Sequence, residues 1–196
     1  KDEAVLKDAF AHAKANNKSV HFLGLVSDGG VHAHINHIEG LVKAAHNAKV
    51  PKSYVHAFTD GRDVDPKSGV SFLTQVQEIC AATNAHLASV VGRYFAMDRD
   101  QRWERVKKAY DLLVHGTGTQ TENLAQTMQA NYDGGTTDEF IEPIVLPENG
   151  EVTSSRIKEG DVVIFFNFRT DRGRQLTQAL SQMPFPAQDM EPLSLY

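Results

Sequence analysis

The sequence predicts a three-layer α/β fold, in which a largely parallel central sheet has helices on both faces. Two observations carry this prediction: four short runs of apolar, β-rich composition, and helical periodicity in the segments between them. Alternation of strands and helices favours right-handed crossover connections and a parallel sheet. The chain has 196 residues, of which 41% are hydrophobic, so we expect residues 1–196 to form one domain around one core.

The four predicted strands are rich in β-branched and aromatic residues, as strands commonly are. They span residues 19–26, 52–58, 86–92 and 161–168.

The predicted helices follow from apolar residues that recur three and four positions apart. This spacing extends from Ile35 to Ala45, from Val70 to Cys80, from Trp103 to Leu113 and from Leu176 to Met183. Because that spacing places the apolar side chains on one side of a helix, each of these segments is expected to pack against the sheet.

Three local signals refine the boundaries. Asp65-Pro66 has the form of an N-cap followed by a proline in the first helical turn, and Thr119 with Glu122 has the form of a capping box. The dipeptide Asn149-Gly150, between two short apolar segments, predicts a β-hairpin excursion near 141–157.

Composition excludes several classes of function. The 20 Lys and Arg against 25 Asp and Glu give a net charge of −5, which disfavours a broadly basic nucleic-acid-binding protein. Apolar runs stay shorter than the ~20 residues of a membrane span. The single cysteine, Cys80, cannot form an internal disulfide, which is typical of a reducing compartment. We therefore expect a cytoplasmic protein with neither nucleic acid nor membrane as a partner.

The loops after the four predicted strands carry the chemically informative side chains. They contain His32, then Arg62 and Asp63, then Arg93 and Arg99, then Arg169 and Arg172. In a parallel sheet these loops share the carboxyl edge, where open α/β sheets bind ligands. Because the arginine fork binds carboxylate and phosphate oxygens, the five arginines predict a site for a small, multiply charged anion. Alternatively, they form salt bridges with neighbouring carboxylates, namely Asp60, Asp63, Asp98, Asp100 and Asp171.

The segment 32–37 (HAHINH) permits a different function. It approaches the HxHxDH pattern of the metallo-β-lactamase superfamily, and three imidazoles could bind zinc. A stand-alone metallohydrolase using His32, His34 and His37 is therefore one alternative, and a non-catalytic anion-binding module is another. Asn36 is a poor replacement for the metal-binding aspartate, and His37 falls on a predicted helix.

A nucleophilic serine is disfavoured. Ser27 lies in a segment similar to the G-x-S-x-G elbow, but Leu25 occupies the position of the first glycine.

Four motifs together resemble a known family. SDGGVHAHINH (27–37), TDGRDVDP (59–66), GRYFAMDRDQRWERV (92–106) and FFNFRTDRGRQL (165–176) resemble, in order and spacing, the cofactor-independent phosphoglycerate mutases. The similarity is to the inserted phosphotransferase, or substrate-binding, domain of that family, and it extends from about residue 21 to residue 180.

The resemblance implies an isomerase of glycolysis that interconverts 3- and 2-phosphoglycerate through a phosphoserine. It places the serine and two divalent metal ions, usually manganese, in an alkaline-phosphatase-like companion domain that this chain lacks. Residues 1–196 would then be the isolated inserted domain, without a metal or cofactor of its own and inactive alone. The implied partners are 2- or 3-phosphoglycerate and the companion domain of the same polypeptide, in a monomer.

The resemblance also implies roles for individual residues. His32 contacts the substrate, and Asp63, beside Arg62, handles the proton of the glycerate hydroxyl, so His32 and Asp63 are the expected catalytic residues. The substrate is also bound by Asp63 and by the five arginines Arg62, Arg93, Arg99, Arg169 and Arg172, the last two through its carboxylate and phosphate. Two departures from the family pattern, Ala33 for serine and Phe95 for tyrosine, each remove one hydrogen-bonding group. His34 and His37 are not ligands on this interpretation.

Overall fold

A computed structural model describes residues 3–196. Its strands are β1 (Ser19–Leu25), β2 (Lys52–Thr59), β3 (Ala85–Gly92), β4 (Thr119–Gln120), β5 (Ile144–Val145) and β6 (Val162–Phe165). They form one sheet in the order β4-β5-β3-β2-β1-β6. The pairs β1–β2, β1–β6, β2–β3 and β4–β5 are parallel, and β3–β5 is antiparallel. The predicted, largely parallel sheet is confirmed.

A helix follows each of β1, β2, β3 and β6, and further helices precede β1 and separate β4 from β5. The helices are α1 (Ala4–Ala15), α2 (Ile35–Asn47), α3 (Gly69–Ala81), α4 (Arg93–Ala96), α5 (Trp103–Tyr110), α6 (Leu124–Asp133) and α7 (Arg174–Ser181). One π-helical turn, Asp111–His115, continues α5, and short 3₁₀ segments cover Asp138–Phe140 and Pro186–Gln188. No helix in residues 3–196 is long and apolar enough to cross a membrane.

Both faces of the sheet are covered. Every residue of β1 from Val20 to Leu25 is buried, and successive strand residues point to opposite faces. Helices α2 and α3, which connect the parallel strands β1, β2 and β3, pack against each other. This arrangement confirms the three-layer α/β class and leaves the strand ends free to carry loops.

Both predicted helix starts are wrong, and each has a local reason. Asp65 accepts a hydrogen bond from the Lys67 amide at 2.9 Å, which forms a side-chain turn, and α3 begins only at Gly69. Thr119 pairs as a strand instead, because its amide donates to the Pro143 carbonyl at 2.9 Å. Helix α6 begins at Leu124, where the Asn123 side chain accepts from the Gln126 amide at 3.1 Å.

The predicted hairpin near 141–157 is correct at its turn and wrong in its extent. Asn149 (φ 54°) and Gly150 (φ 81°) are both left-handed, as a two-residue hairpin turn requires. Glu148 and Glu151 exchange backbone hydrogen bonds of 3.0 Å across that turn. The preceding segment pairs elsewhere, because β5 occupies the edge of β3.

Helix α1 was not among the predicted elements. It buries Ala9, Phe10 and Ala13 and contacts β1 and β6. The helix therefore covers part of the sheet at the end opposite to β4.

Candidate functional site

The carboxyl ends of β1, β2, β3 and β6 lie at one edge of the sheet. Leu25 is in register with Phe58, and Thr59 with Gly92, so the loops that follow start side by side. Because these four strands are parallel, the loops that follow them meet at this edge, as predicted.

A buried ion-pair network joins three of these loops. Nη1 of Arg93 lies 2.6 Å from Oδ1 of Asp60 and 2.6 Å from Oδ2 of Asp63. Only 3% of the Arg93 side chain is exposed. Burial alone would lower the pKa of Arg93, but its hydrogen bonds with Asp63 and Asp60 raise it. Arg93 is therefore a fixed cation whose charge is largely balanced inside the protein.

Asp60 is saturated with hydrogen bonds. Its Oδ2 accepts from the Ser27 hydroxyl at 2.7 Å, and its Oδ1 accepts from the backbone amides of Arg62 at 3.2 Å and Asp63 at 3.0 Å. Although burial alone would raise the pKa of Asp60, the hydrogen bonds from the Asp63 amide, Ser27 and Arg93 lower it. Asp60 is therefore held as a carboxylate.

Ser27 is positioned for structure, in agreement with the incomplete elbow motif. It is 1% exposed, donates to Asp60, and accepts from the Ile35 amide through its carbonyl at 2.9 Å. The hydroxyl is thus committed to a carboxylate and closed to solvent.

His32 lies buried between two carboxylates. Its Nε2 is 3.9 Å from Oδ2 of Asp63, and its Nδ1 is 3.9 Å from Oδ1 of Asp171. The Nδ1 atom is buried and has no hydrogen-bond partner. Burial and then the charge of Arg93 lower the pKa of His32. His32 is therefore a neutral imidazole with one buried, unsatisfied nitrogen.

Asp171 connects two of the predicted anion-binding arginines. Nη1 of Arg99 lies 3.3 Å from its Oδ2, and Nε of Arg169 lies 3.3 Å from its Oδ1. Both arginines are about half exposed, so these contacts leave much of each guanidinium accessible. A tightly bound anion could exchange for such surface ion pairs at low cost.

A cleft of about 340 Å³ opens beside this cluster. Four of the predicted arginines line it: Arg62, Arg93, Arg99 and Arg172. We call this space the arginine cleft. Arg169 does not line it and reaches the cluster through Asp171.

Arg172 carries the excess positive charge of the arginine cleft. It donates to the Met97 carbonyl at 3.3 Å, and within residues 3–196 no carboxylate forms an ion pair with it. Burial, followed by the charges of Arg99, Arg93 and Arg62, lowers its pKa. Like charges crowded in this way are stabilised by an anion. The salt-bridge alternative is therefore correct for Arg93 and for the half-exposed Arg99 and Arg169, which pair with Asp171, but it does not account for Arg172.

The outer wall of the cleft was not predicted. Glu139 and Phe140 come from the 3₁₀ segment, far along the chain from the motifs, and Glu139 Oε1 lies 3.4 Å from Nη1 of Arg62. The segment is anchored by the Gly92 amide, which donates to the Ile141 carbonyl at 2.7 Å. No motif in the sequence marks this contact, since it depends on tertiary packing.

Arg105 and Tyr94 also line the cleft. The guanidinium of Arg105 lies 3.9 Å from the centre of the Tyr94 ring, and its Nη1 is 3.4 Å from Oδ1 of Asp98. Asp98 also accepts from the amides of Asp100 and Arg102, both at 3.0 Å. Asp98 therefore orders the loop that carries Arg99.

The three histidines of the first loop do not form a metal site. His34 accepts from the Asn36 amide at 3.2 Å as the N-cap of α2, and His37 packs against Phe168 with ring centres 5.7 Å apart. Across residues 3–196 no group of three or more His, Cys, Asp or Glu side chains is arranged to hold a metal ion. The geometry therefore disfavours a metallohydrolase that uses His32, His34 and His37.

The fold and the site define a class of protein: an α/β domain with a cluster of arginines at the carboxyl edge of its largely parallel sheet. The family described as "BPG-independent PGAM N-terminus" matches residues 1–195. The chain belongs to this family, that of the 2,3-bisphosphoglycerate-independent phosphoglycerate mutases.

Individual relatives agree with the family match. The chain is 57% identical over 194 residues to the 2,3-bisphosphoglycerate-independent phosphoglycerate mutase of Flavobacterium johnsoniae, covering 99% of this chain and 38% of that protein. It is 52% identical over 185 residues to the same enzyme of Parabacteroides distasonis, covering 94% and 36%. The crystal structure of Leishmania mexicana phosphoglycerate mutase superposes with a TM-score of 0.86 at 28% identity, covering 97% of this chain and 36% of that one. The chain thus spans little more than a third of these relatives.

Proposed function

We propose that residues 1–196 are the inserted, substrate-binding domain of a two-domain phosphoglycerate mutase that interconverts 3- and 2-phosphoglycerate. Family membership supports this proposal, and one observation carries it. Arg172, without a carboxylate partner among the described residues, lines one cleft with Arg62 and Arg99. Arg93 lines the same cleft and contacts Asp63, which lies 3.9 Å from His32; neither Asp63 nor His32 lines the cleft itself. Phosphoglycerate offers both a carboxylate and a phosphate, the two groups that arginine recognises in bidentate fashion.

The geometry supports different roles for the different residues of the site. Arg62, Arg99, Arg169 and Arg172 are accessible enough to bind the anionic groups of the substrate, whereas Arg93 is buried and holds Asp63. Asp63 is the general acid–base residue for the glycerate hydroxyl, a task suited to a carboxylate fixed by an ion pair. His32, beside Asp63, is the further residue that we expect to contact the substrate.

The remaining chemistry belongs to a companion domain of the same polypeptide. That domain would provide the serine that accepts the phosphoryl group and two divalent metal ions, usually manganese, which promote its transfer. A covalent phosphoserine divides one difficult transfer into two easier steps. We further propose a cytoplasmic monomer as the physiological form.

The proposal is tested by comparing this chain with the complete polypeptide that contains it. The complete polypeptide should convert 3-phosphoglycerate to 2-phosphoglycerate, and the chain alone should not. Robust turnover by the chain alone would refute its role as half of an enzyme.

A binding measurement addresses the non-catalytic alternative. Titration of the isolated chain with 3-phosphoglycerate and with inorganic sulfate, followed by calorimetry, should show weak binding that favours the phosphoglycerate. A complete polypeptide without mutase activity, together with equal affinity for both anions, would favour a simple anion-binding module.

A further inference from the structure

The aspartate that opens the second loop, Asp60, holds three loops in one arrangement. Its carboxylate touches Ser27 of the loop after β1, the backbone of its own loop after β2, and Arg93 at the end of β3. Asp60 does not line the arginine cleft itself, whereas its partner Arg93 does. Asp60 therefore acts on the site through its neighbours.

We propose that Asp60, held by Ser27, is a positioning residue that fixes the carboxylate of Asp63 for proton transfer. This inference rests on the proposed function, in which Asp63 is the acid–base group. Two routes connect the residues: the Asp63 amide donates to Asp60 at 3.0 Å, and both carboxylates share Nη1 of Arg93 at 2.6 Å.

Burial explains why a carboxylate is needed at position 60. Arg93 is 3% exposed, and a buried guanidinium requires full charge compensation. Asp63, with 19% of its side chain exposed, faces the site and cannot balance Arg93 fully while it also exchanges a proton. Asp60 supplies a permanent negative charge, so that the position of Arg93 does not depend on the protonation of Asp63.

Ser27 fixes the orientation of Asp60. Its hydroxyl donates to Oδ2 at 2.7 Å, which leaves Oδ1 to accept from Arg93 and from the two amides of the turn. Removal of this hydroxyl keeps every charge in place and frees the carboxylate to rotate.

A double-mutant cycle in the complete polypeptide tests the proposal. Asp60→Asn should lower kcat by about 100-fold, since a misplacement of about 1 Å in a reacting group has that effect. The KM for 3-phosphoglycerate should change less than about threefold, because the accessible arginines remain. In an Asp63→Asn background, Asp60→Asn should lower kcat less than about threefold, because the group that it positions is already absent.

Two further variants keep the result interpretable. Asp65→Asn removes a carboxylate of the same loop that makes only an exposed turn, and its activity should equal that of the wild type. Ser27→Ala should lower kcat about tenfold in the wild-type background and less than about twofold in the Asp60→Asn background. It serves as the test if Asp60→Asn does not fold.

The outcomes separate this inference from the proposed function. Equal losses from Asp60→Asn with and without Asp63 would show a general structural role and overturn the positioning role. Ser27→Ala provides an equivalent test. An equal loss of kcat in the wild-type and Asp60→Asn backgrounds would also overturn the positioning role. A wild-type polypeptide that does not convert 3-phosphoglycerate would instead contradict the proposed function itself.

Discussion

Nη1 of Arg93 lies 2.6 Å from Oδ2 of Asp63, and this contact joins the loop after β3 to the loop after β2. The same nitrogen also donates to Asp60, so Arg93 is compensated twice within the protein. Arg172 shows the opposite pattern, with neighbouring arginines and no ion-pair partner in residues 3–196. The five arginines are therefore not equivalent: Arg93 shapes the site, while the others remain available to an anion.

Arg93→Met should destabilise the chain by about 3 kcal/mol, because it leaves Asp60 buried without its cation. Unfolding in urea, followed by circular dichroism, measures the difference.

The matched control is Arg62→Met. Arg62 is 57% exposed and pairs with Glu139 only at 3.4 Å, so its replacement should change stability by less than about 0.5 kcal/mol. Similar losses of unfolding free energy in the two variants would contradict the idea that burial makes the Arg93 ion pair important for stability.

Arg172→Ala should weaken transition-state binding in the complete polypeptide. Loss of a charged hydrogen bond is worth about 1.5–3 kcal/mol, so kcat/KM for 3-phosphoglycerate should fall by about 10- to 150-fold. Lys52→Ala removes a cation from the first residue of β2, at the opposite edge of the sheet, and should leave kcat/KM unchanged. An unchanged kcat/KM in Arg172→Ala would count against the assigned role.

The sequence predicts well which loops meet at the carboxyl edge of the sheet, because the determinants of this arrangement are local. Strands β1, β2 and β3 are continuous apolar segments, and the loop after each strand follows directly from the strand boundary. Strands of two residues, such as β5, exist only because a neighbouring edge is free to pair, and no local pattern encodes that.

The same distinction applies within the site. The arginines are visible in the sequence because they follow strands, whereas the role of Ser27 depends on a contact with Asp60, 33 residues away. The wall formed by Glu139 and Phe140 likewise depends on packing against the end of β3. Long-range hydrogen bonds of this kind are fixed by the tertiary structure.

A buried chain of polar side chains crosses the sheet below the site. Nδ1 of His21 lies 2.9 Å from Nε2 of His56, and Nε2 of His21 lies 3.2 Å from Asp161. Nδ1 of His56 is 2.7 Å from the Ser89 hydroxyl. Burial lowers the pKa of His21 despite Asp161, and burial with the nearby His21 lowers that of His56 well below its usual value.

The stability of the chain should therefore fall in mild acid. Folded pKa values below the unfolded value of about 6.5 mean that the unfolded chain binds protons first. This contribution is complete above about pH 6.5 and is lost as the pH decreases, by at most about 1.4 kcal/mol per pH unit for each histidine. Urea unfolding at a series of pH values between about 7.5 and 5.5 measures the slope.

A substitution tests whether the buried pair His21 and His56 causes this dependence of stability on pH. His56→Gln should reduce this slope by about the share of one histidine. An equal slope in the wild type and in His56→Gln would contradict the assignment.

The contact between Gly92 and the 3₁₀ segment gives the last prediction. A Cβ atom at Gly92 would overlap the Glu139 carbonyl oxygen and lie 2.7 Å from the Ile141 nitrogen, and both of these are backbone atoms that cannot rotate away. Gly92→Ala should therefore destabilise the chain by about 1–3 kcal/mol, as overpacking does. Because Glu139 and Phe140 form the cleft wall, affinity for 3-phosphoglycerate should fall as well.

Gly40→Ala is the control: no atom lies within 4 Å of its added methyl group, and α2 should gain about 0.5–1 kcal/mol from the better helix former. Thermal unfolding should therefore shift in opposite directions for the two variants, and a shift in the same direction would show that Gly92 does not set the position of the wall.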